Sequence, residues 1–239
     1  MPNHQSTIPH NLSLVRSRIM RAAARAGRDP NEITLVAVTK THPWATIEAA
    51  LAAGQLDFGE NRPEEAHRKF VEEQPDGITP EPRLHLIGPI QSRKAKIALA
   101  CQPVLIHSID RLKIARKLSG GAQEQGRVLD ILFEINVSGE ASKHGFSPDQ
   151  LRAALPELLA LPALRPRGLM TIPPYDPDPE TARPYFQALR DLRDELAAAY
   201  PSADWSQLSI GMSHDFEVAI EEGATIVRVG SAIFGQRNQ

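Results

Sequence analysis

The residue with the clearest chemical potential in this chain is Lys40, which ends the apolar run I-T-L-V-A-V-T-K-T at positions 33–41. Such a run is typical of a parallel strand buried on both faces, and His42-Pro43 then signals the start of a helix. The carboxyl end of a strand is where α/β folds keep their chemistry. A desolvated lysine loses its proton more easily, and the free amine forms an imine with an aldehyde. A solvated lysine is the commoner outcome for one such residue, so the rest of the chain must decide.

The loops after the last two predicted strands have the composition of a phosphate site. Ser209, Gly211 and Ser213 precede a predicted helix, and Gly230 and Ser231 form a second small, hydroxyl-bearing turn. Barrels often hold a phosphate between the loops of strands seven and eight, on backbone N–H groups and a helix N-terminus. Ser213 alone is explained equally well as a helix N-cap. The two loops together favour phosphate.

Arg228 lies inside the predicted eighth strand, I-V-R-V-G, among apolar residues. A permanently charged guanidinium in that position needs a partner, which is either a carboxylate or a ligand heteroatom. A salt bridge is the more frequent explanation. His85 and His107 are expected to be hydrogen-bonded residues of the barrel. Cys101 lies before Pro103, and nothing nearby predicts an activated thiol.

Composition excludes several classes of protein. The formal net charge is −2 over 239 residues, with no basic run, so neither nucleic acid nor an anionic membrane is an expected partner. The single cysteine allows no internal disulfide. The N-terminus does not resemble a secretory signal, and no stretch has the apolar length of a membrane span. The eight histidines show no zinc-ligand spacing, so we predict no metal site in a cytoplasmic protein.

Strand-like and helix-like segments alternate from Ile33 onward, after a helix predicted over residues 11–27. The strand candidates are Ile33–Thr39, Leu56–Gly59, Leu84–Gly88, Val104–His107, Val128–Val137, Leu164–Met170, Gln207–Ile210 and Thr225–Val229. Eight such units predict a closed TIM (β/α)8 barrel, an α/β fold with an extra N-terminal helix. A doubly wound open sheet is the alternative, but its G-x-G-x-x-G turn is absent. We expect one domain over residues 1–239, with residues 1–10 flexible.

A series of motifs at these strand ends resembles the pyridoxal-phosphate homeostasis protein family. The motifs are V-A-V-T-K-T, D-F-G-E-N-R, H-L-I-G-P-I-Q-S-R-K, I-H-S-I-D, N-V-S-G-E-A-S-K-H-G-F, R-G-L-M-T-I-P-P, L-S-I-G-M-S-H-D-F and V-R-V-G-S-A-I-F-G. They run in order from about residue 12 to the end. The family resembles the N-terminal barrel of alanine racemase and of fold-type III decarboxylases, without their second, β-rich domain.

The resemblance assigns roles to residues of this sequence. Lys40 would hold pyridoxal 5′-phosphate (PLP) as an internal aldimine, and Arg228 would face the pyridine nitrogen. Lys143, in S-K-H-G, matches a second lysine of the family and is a candidate acceptor for transferred PLP. His42 and Arg93 stand where many relatives carry lysine or asparagine, which casts doubt on a handover route through position 42. The remaining cofactor-binding residues that it implies are Asn61, His85, Ser209, Gly211, Met212, Ser213, Gly230 and Ser231.

Two classes of function are implied. One is a carrier that holds PLP and releases it in vitamin B6 homeostasis, binds other B6 phosphates, contacts apo PLP enzymes transiently and is a monomer. The other is an amino-acid racemase or decarboxylase. Racemisation needs a second acid–base group. We expect none here, because the chain ends at Gln239 and Tyr175, Tyr185 and Tyr200 lie in a proline-rich loop and along a helix. A third reading is a barrel for a phosphorylated metabolite that never binds PLP.

Overall fold

The structure, a computed structural model, describes residues 7–140 and 143–235. Eight parallel strands form a closed barrel in chain order, and β8 returns to pair with β1. The strands are β1 Thr34–Val38, β2 Asp57–Glu60, β3 Arg83–Leu86, β4 Leu105–Ile109, β5 Leu129–Glu134, β6 Leu164–Met170, β7 Gln207–Ser209 and β8 Ile226–Val229. The predicted barrel is confirmed, and the open-sheet alternative is wrong.

Helices cover the outside of the barrel and alternate with the strands, as predicted. The α-helices of the described ranges are α1 Ile8–Arg25, α2 Trp44–Ala52, α3 Pro63–His67, α4 Ala95–Ala100, α5 Leu112–Glu124, α6 Pro148–Leu159, α7 Arg183–Ala199, α8 Phe216–Glu221 and α9 Ser231–Phe234. A π-helical segment, Arg68–Glu73, continues α3. Short 3-10 turns occupy Pro30–Glu32, Ser92–Lys94 and Pro179–Ala182.

The N-terminal helix α1 begins at Ile8, three residues before the predicted start, because Pro9 fits its first turn. Its apolar stripe is buried, and it packs on α8, α9 and α2. Of the residues 1–10 expected to be flexible, 1–6 lie outside the described residues, whereas Ile8–His10 are helical. The side chain of Asn11 donates to the carbonyl of Ile233, which ties α1 to the helix that follows the last strand.

Local capping signals were predictable in one case and misleading in another. The sequence Ser147-Pro148-Asp149-Gln150 predicts a capping box at the start of α6, and this is confirmed, since Ser147 and Gln150 exchange side-chain-to-backbone hydrogen bonds. Asp110 precedes α5 in the sequence and is predicted to cap it, and this is wrong. It hydrogen-bonds the guanidinium of Arg111, which is itself the N-cap residue.

The side chains inside the barrel form layers. Alternate residues of a strand point inward, and a small apolar cluster fills the lower part of the interior: Val36, Leu105, Leu132, Met170 and Ile226. Two residues further along β5 and β8, the same alternation places Glu134 and Arg228 on the inner face. The upper interior is therefore polar where the lower interior is aliphatic.

Candidate functional site

The carboxyl ends of the strands surround a cavity of about 530 Å³, the size of a small-molecule site. Most of the residues predicted for the site line it: Lys40, Asn61, Lys143, Met212, Ser213, Arg228, Gly230 and Ser231. Three predicted residues, His85, Ser209 and Gly211, are not in its wall. Residues from distant parts of the chain thus meet here, as the strand-end reading predicts.

Lys40 stands on a backbone segment that is clamped on both sides. Before it, the carbonyl of Thr39 accepts a hydrogen bond from Nζ of Lys69 at 2.8 Å. After it, the N–H of Thr41 donates to Oε1 of Glu65, and Thr41 has a left-handed φ of 68°. A threonine in this conformation is uncommon, which indicates that the surrounding contacts determine it. The clamp fixes the direction in which the Lys40 side chain leaves the barrel rim.

Lys69 is the centre of this clamp, and its side chain is fully buried. Besides the Thr39 carbonyl, its ammonium donates to Glu60 at 2.8 Å and to Glu65 at 2.7 Å, which uses all three donors. Burial raises the pKa of Glu60, although the charge of Lys69 opposes this. The sequence analysis missed Lys69. Its only signal was the spacing of four residues from Glu65, which surface helices share.

Arg228 is buried, with 3% of its surface exposed, and it lines the cavity. Its Nη1 donates to the carbonyl and the hydroxyl of Ser209, both at 2.6 Å, and Nη2 donates to the carbonyl of Thr171 at 3.0 Å. Burial lowers the pKa of Arg228 to about 10, and the charges of Asp215 and Glu134 oppose that change. The expected salt bridge is wrong, because these partners are carbonyl and hydroxyl oxygens. Such neutral partners leave the positive charge of the guanidinium uncompensated by direct contact.

Beneath Arg228 a chain of buried hydrogen bonds crosses the barrel. Ser209 Oγ lies 2.8 Å from His107 Nδ1, His107 Nε2 lies 2.9 Å from His85 Nδ1, and His85 Nε2 lies 3.0 Å from Asp57 Oδ1. Burial, followed by the charges of His85 and Arg228, holds the pKa of His107 well below its usual value. The expectation that His85 and His107 are hydrogen-bonded barrel residues is confirmed.

In this chain of hydrogen bonds every group donates in the same direction, from Arg228 towards Asp57. Arg228 donates to Ser209, so the hydroxyl proton of Ser209 is directed to Nδ1 of neutral His107. Nε2 of His107 then carries its proton and donates to His85, which in turn donates to Asp57. Burial alone would raise the pKa of Asp57, but hydrogen bonds from His85 and Arg83 hold it below its usual value. His85 and Ser209 do not line the cavity. They are connected to it by hydrogen bonds that lead to Arg228, which does.

The two loops predicted to bind phosphate are linked by Ser213. Its Oγ accepts hydrogen bonds from the N–H groups of Gly230 at 3.1 Å and Ala232 at 3.3 Å. Ser213 is not the N-cap of α8, because Asp215 holds that position. The N–H groups of Ser213, His214 and Ser231 donate to no acceptor within residues 7–140 and 143–235. These donors line the cavity and suit an anionic group.

Gly211 serves packing rather than the cavity wall. Its φ is +90°, and a Cβ there would lie 2.6 Å from Cβ of Ala219 and 2.8 Å from Cα of Phe216. Its carbonyl accepts the backbone N–H of Arg228 at 2.9 Å. Glycine at 211 thus lets α8 approach the loop after β7. Its carbonyl also aligns that loop with β8.

Glu134, at the end of β5, is a cavity residue that the sequence analysis missed. Its exposed fraction is 6%, and its Oε2 is buried without a hydrogen-bond partner among the described residues. Burial, followed by the charge of Asp110, raises the pKa of Glu134 to about 7, although Arg228 opposes this. The alternation that turns Leu132 inward could have identified it.

The mouth of the cavity carries Lys143 and Tyr175. Nζ of Lys143 donates to the carbonyl of Ile172 at 3.3 Å and lies 3.7 Å from Oε1 of Glu140. Tyr175 is 81% exposed, and its ring lies 5.6 Å from that of His214. Tyr175 therefore lines the cavity, while the expectation that no tyrosine serves as a second acid–base group stays a prediction. The exposure of Tyr175 places it at the rim, in contact with water.

Three other features of the described ranges bear on function: groups of metal-ligand side chains, apolar helices and the thiol of Cys101. No group of three or more histidine, cysteine, aspartate or glutamate side chains there is arranged to hold a metal ion. Among the same residues, no helix has the length and apolar character needed to cross a membrane. Burial raises the pKa of the Cys101 thiol to about 12, so it is a weak nucleophile.

A closed barrel with a lysine after β1 and an arginine inside β8, both facing one cavity, belongs to the alanine racemase type of fold. The family described as "Alanine racemase, N-terminal domain" matches residues 8–238. The chain is 45% identical to the pyridoxal phosphate homeostasis protein of Aquifex aeolicus, over 95% of this chain and 96% of that one. It is 44% identical to the protein of the same name from Pseudomonas aeruginosa, over 98% and 97%. The chain belongs to the pyridoxal phosphate homeostasis protein family.

Solved structures agree with this placement. PipY of Synechococcus elongatus, solved with PLP bound, is 36% identical and has a TM-score of 0.81 over 95% of this chain and all of PipY. The alanine racemase of Clostridium difficile is 14% identical, with a TM-score of 0.75 over 98% of this chain and 58% of the racemase. The latter likeness shows the shared barrel alone.

Proposed function

We propose that this protein binds PLP through a covalent bond to Lys40, and that it holds and releases the cofactor in intracellular vitamin B6 homeostasis. The observation that carries the proposal is that Lys40 and the buried Arg228 line one cavity of about 530 Å³. The names of the relatives and the PLP-bound structure of PipY support it.

The donor set fits the three recognisable parts of PLP. The cofactor supplies an electrophilic aldehyde, and the amine of Lys40 is the nucleophile that matches it. The N–H groups of Ser213 and Ser231 suit the phosphate, while Asn61 and Met212, which line the same cavity, would flank the ring. Arg228 would donate to the pyridine nitrogen and keep it unprotonated, which weakens the cofactor as an electron sink. A site that keeps the pyridine nitrogen unprotonated suits storage of the cofactor better than carbanion chemistry.

Release requires that PLP leave Lys40 and move to the cavity mouth, and the amine of Lys143 is a candidate acceptor there. It shares the cavity with Lys40 and stands at the mouth, where a second amine can accept PLP during transfer. Handover to apo PLP enzymes, binding of other B6 phosphates, action as a monomer and a cytoplasmic location belong to the same proposal. We expect Lys143→Ala to slow PLP transfer to an apo-enzyme, whereas Lys113→Ala, on the exposed surface of α5, leaves the rate unchanged. Equal rates for wild type and Lys143→Ala would remove Lys143 from the route.

A racemase is the second candidate, because Tyr175 lines the cavity and carries an acid–base group. Its phenol is exposed to water instead of being held against the cavity floor, so it is poorly placed as a fixed second base. The deciding experiment incubates PLP-loaded protein with each L- and D-amino acid and follows stereochemical exchange. The carrier proposal predicts exchange no faster than with free PLP. Rapid exchange that Tyr175→Phe abolishes would establish the racemase instead.

A further inference from the structure

Glu134 combines three features that hydrogen bonding within the barrel does not explain. It lines the cavity that holds Lys40 and Arg228, only 6% of its surface is exposed, and its Oε2 is buried without a hydrogen-bond partner among the described residues. Buried polar groups are normally paired, since an unpaired one costs free energy. An unpaired carboxyl oxygen in the wall of a cavity can accept a hydrogen bond from, or form an ion pair with, a bound ligand.

The charges around Glu134 come from several elements. Asp110, after β4, raises its pKa, and Arg228, from β8, lowers it, but no ion pair forms with Arg228. Asp110 itself is paired with Arg111 and lies 3.8 Å from Nδ1 of His144. Lys40 and Lys143 also line the cavity. Among the described residues, the charged or titratable groups that act on Glu134 or share its cavity are Lys40, His42, Asp110, Lys143, His144, Tyr175, His214 and Arg228.

We infer that Glu134 determines the charge specificity of the cavity, so that its ionised form selects B6 phosphates bearing an amine and its neutral form admits those bearing an alcohol or aldehyde. The inference rests on the proposed function, since it names the ligand class of the same site. A carboxylate in a low-dielectric cavity attracts an ammonium strongly and repels an anion. Glu134 lines the same cavity as Lys40 and Arg228, so a ligand bound by those residues shares the cavity with its carboxyl.

Two vitamers isolate this effect. Pyridoxamine 5′-phosphate carries a cationic aminomethyl group, and pyridoxine 5′-phosphate carries a neutral hydroxymethyl group at the same carbon. Neither has the aldehyde, so neither bonds covalently to Lys40. The ratio of their dissociation constants, alcohol over amine, is corrected for the ionisations of each free vitamer, which are measured over the same pH range. The aminomethyl group stays protonated at neutral pH, as other alkylamines do.

The experiment measures both dissociation constants by calorimetric titration from about pH 5.5 to about pH 8.5, on either side of the titration of Glu134. We expect the ratio to rise by about tenfold or more in wild type, which corresponds to a coupling of about one pKa unit between ligand and carboxyl. Glu134→Gln keeps the shape of the side chain without its charge, and its ratio is expected to stay constant. Glu124→Gln, on the exposed surface of α5, is the matched control and should follow wild type.

A pH-independent ratio in wild type would overturn the inference, whether or not the Glu134→Gln protein folds. A ratio that rises equally in Glu134→Gln would overturn it as well. Asp110→Asn provides a second test, since removing the neighbouring charge should move the midpoint of the rise to lower pH. PLP binding is measured on the same samples. Failure to bind PLP would contradict the proposed function, whereas PLP binding with a flat ratio would contradict the specificity of Glu134 alone.

Discussion

Arg228 Nη1 and Ser209 Oγ are 2.6 Å apart, and the same hydroxyl lies 2.8 Å from Nδ1 of His107. Arg228 is thus attached to a buried chain of hydrogen bonds that ends at Asp57, the first residue of β2. Among residues 7–140 and 143–235, Ser209 is the single side chain that hydrogen-bonds both the guanidinium and the histidine pair. Removing the Ser209 hydroxyl should therefore affect both Arg228 and His107.

Ser209→Ala leaves Nδ1 of His107 without its hydroxyl partner and removes one acceptor of Arg228. We expect the free energy of unfolding to fall by about 1–3 kcal/mol, the cost of buried polar groups that lose a partner. Denaturant unfolding of the protein without PLP measures this change. Ser202→Ala, at an exposed position, should stay within about 0.5 kcal/mol of wild type. Equal stabilities for the two variants would show that the chain contributes nothing.

Lys69→Met removes the cation that Thr39, Glu60 and Glu65 share, and leaves Glu60 buried without a counter-charge. We expect a loss of about 3–5 kcal/mol in the free energy of unfolding, because breaking a buried ion pair strands the other charge. The double variant Lys69→Met/Glu60→Gln should recover part of the loss. Lys96→Met, on the exposed face of α4, is the control. A single variant as stable as this control would contradict the role given to Lys69.

Glu134 should make stability depend on pH in the absence of any ligand. Its pKa in the folded state is raised to about 7, so between about pH 4.5 and 7 the folded state keeps a proton that the unfolded state has lost. The free energy of unfolding therefore falls as pH rises through this window, by up to about 3 kcal/mol. Comparing wild type with Glu134→Gln should show this difference in slope. Parallel pH profiles would mean that Glu134 ionises normally.

Gly168 allows β6 to approach β7 at the register shift opposite β5. A Cβ on this residue would lie 1.9 Å from the carbonyl oxygen of Gln207, and its φ of +146° suits glycine. We expect Gly168→Ala to lose about 2–4 kcal/mol of stability, as for other strained or overpacked sites. Gly120→Ala, inside α5 with open space around it, should gain about 0.5–1 kcal/mol. Thermal unfolding compares the two, and a stable Gly168→Ala would contradict the strand geometry.

The fold was predictable because its periodic signals are local. Each of the eight apolar runs, such as the one before Lys40, is bounded by a turn or a cap. Strands that alternate with helices can form only a small number of parallel-sheet topologies. The residues of the site were predictable to the extent that they follow strand ends. Lys40, Ser213 and Arg228 meet in the cavity for this reason.

The layer that each inward side chain occupies was not predictable. It depends on the stagger between neighbouring strands, which a single sequence does not specify. His85 and Ser209 therefore lie one level below the cavity, and Glu134 lies in its wall. Lys69 was missed because a lysine within a charged helical stretch normally faces water. Its burial follows from the positions of Glu60 and Thr39, which lie at the ends of two neighbouring strands and which the helical periodicity around Lys69 does not reveal.

The most direct test of the central claim is to load the protein with PLP, reduce it with borohydride and map the modified peptide. We expect a visible absorption band before reduction, and after reduction one modified residue, Lys40, with the label lost in Lys40→Ala. Lys94→Ala, in the adjacent cleft, should keep the label on Lys40. A protein that stays colourless and unlabelled with excess PLP, or one labelled equally well in Lys40→Ala, would contradict the claim.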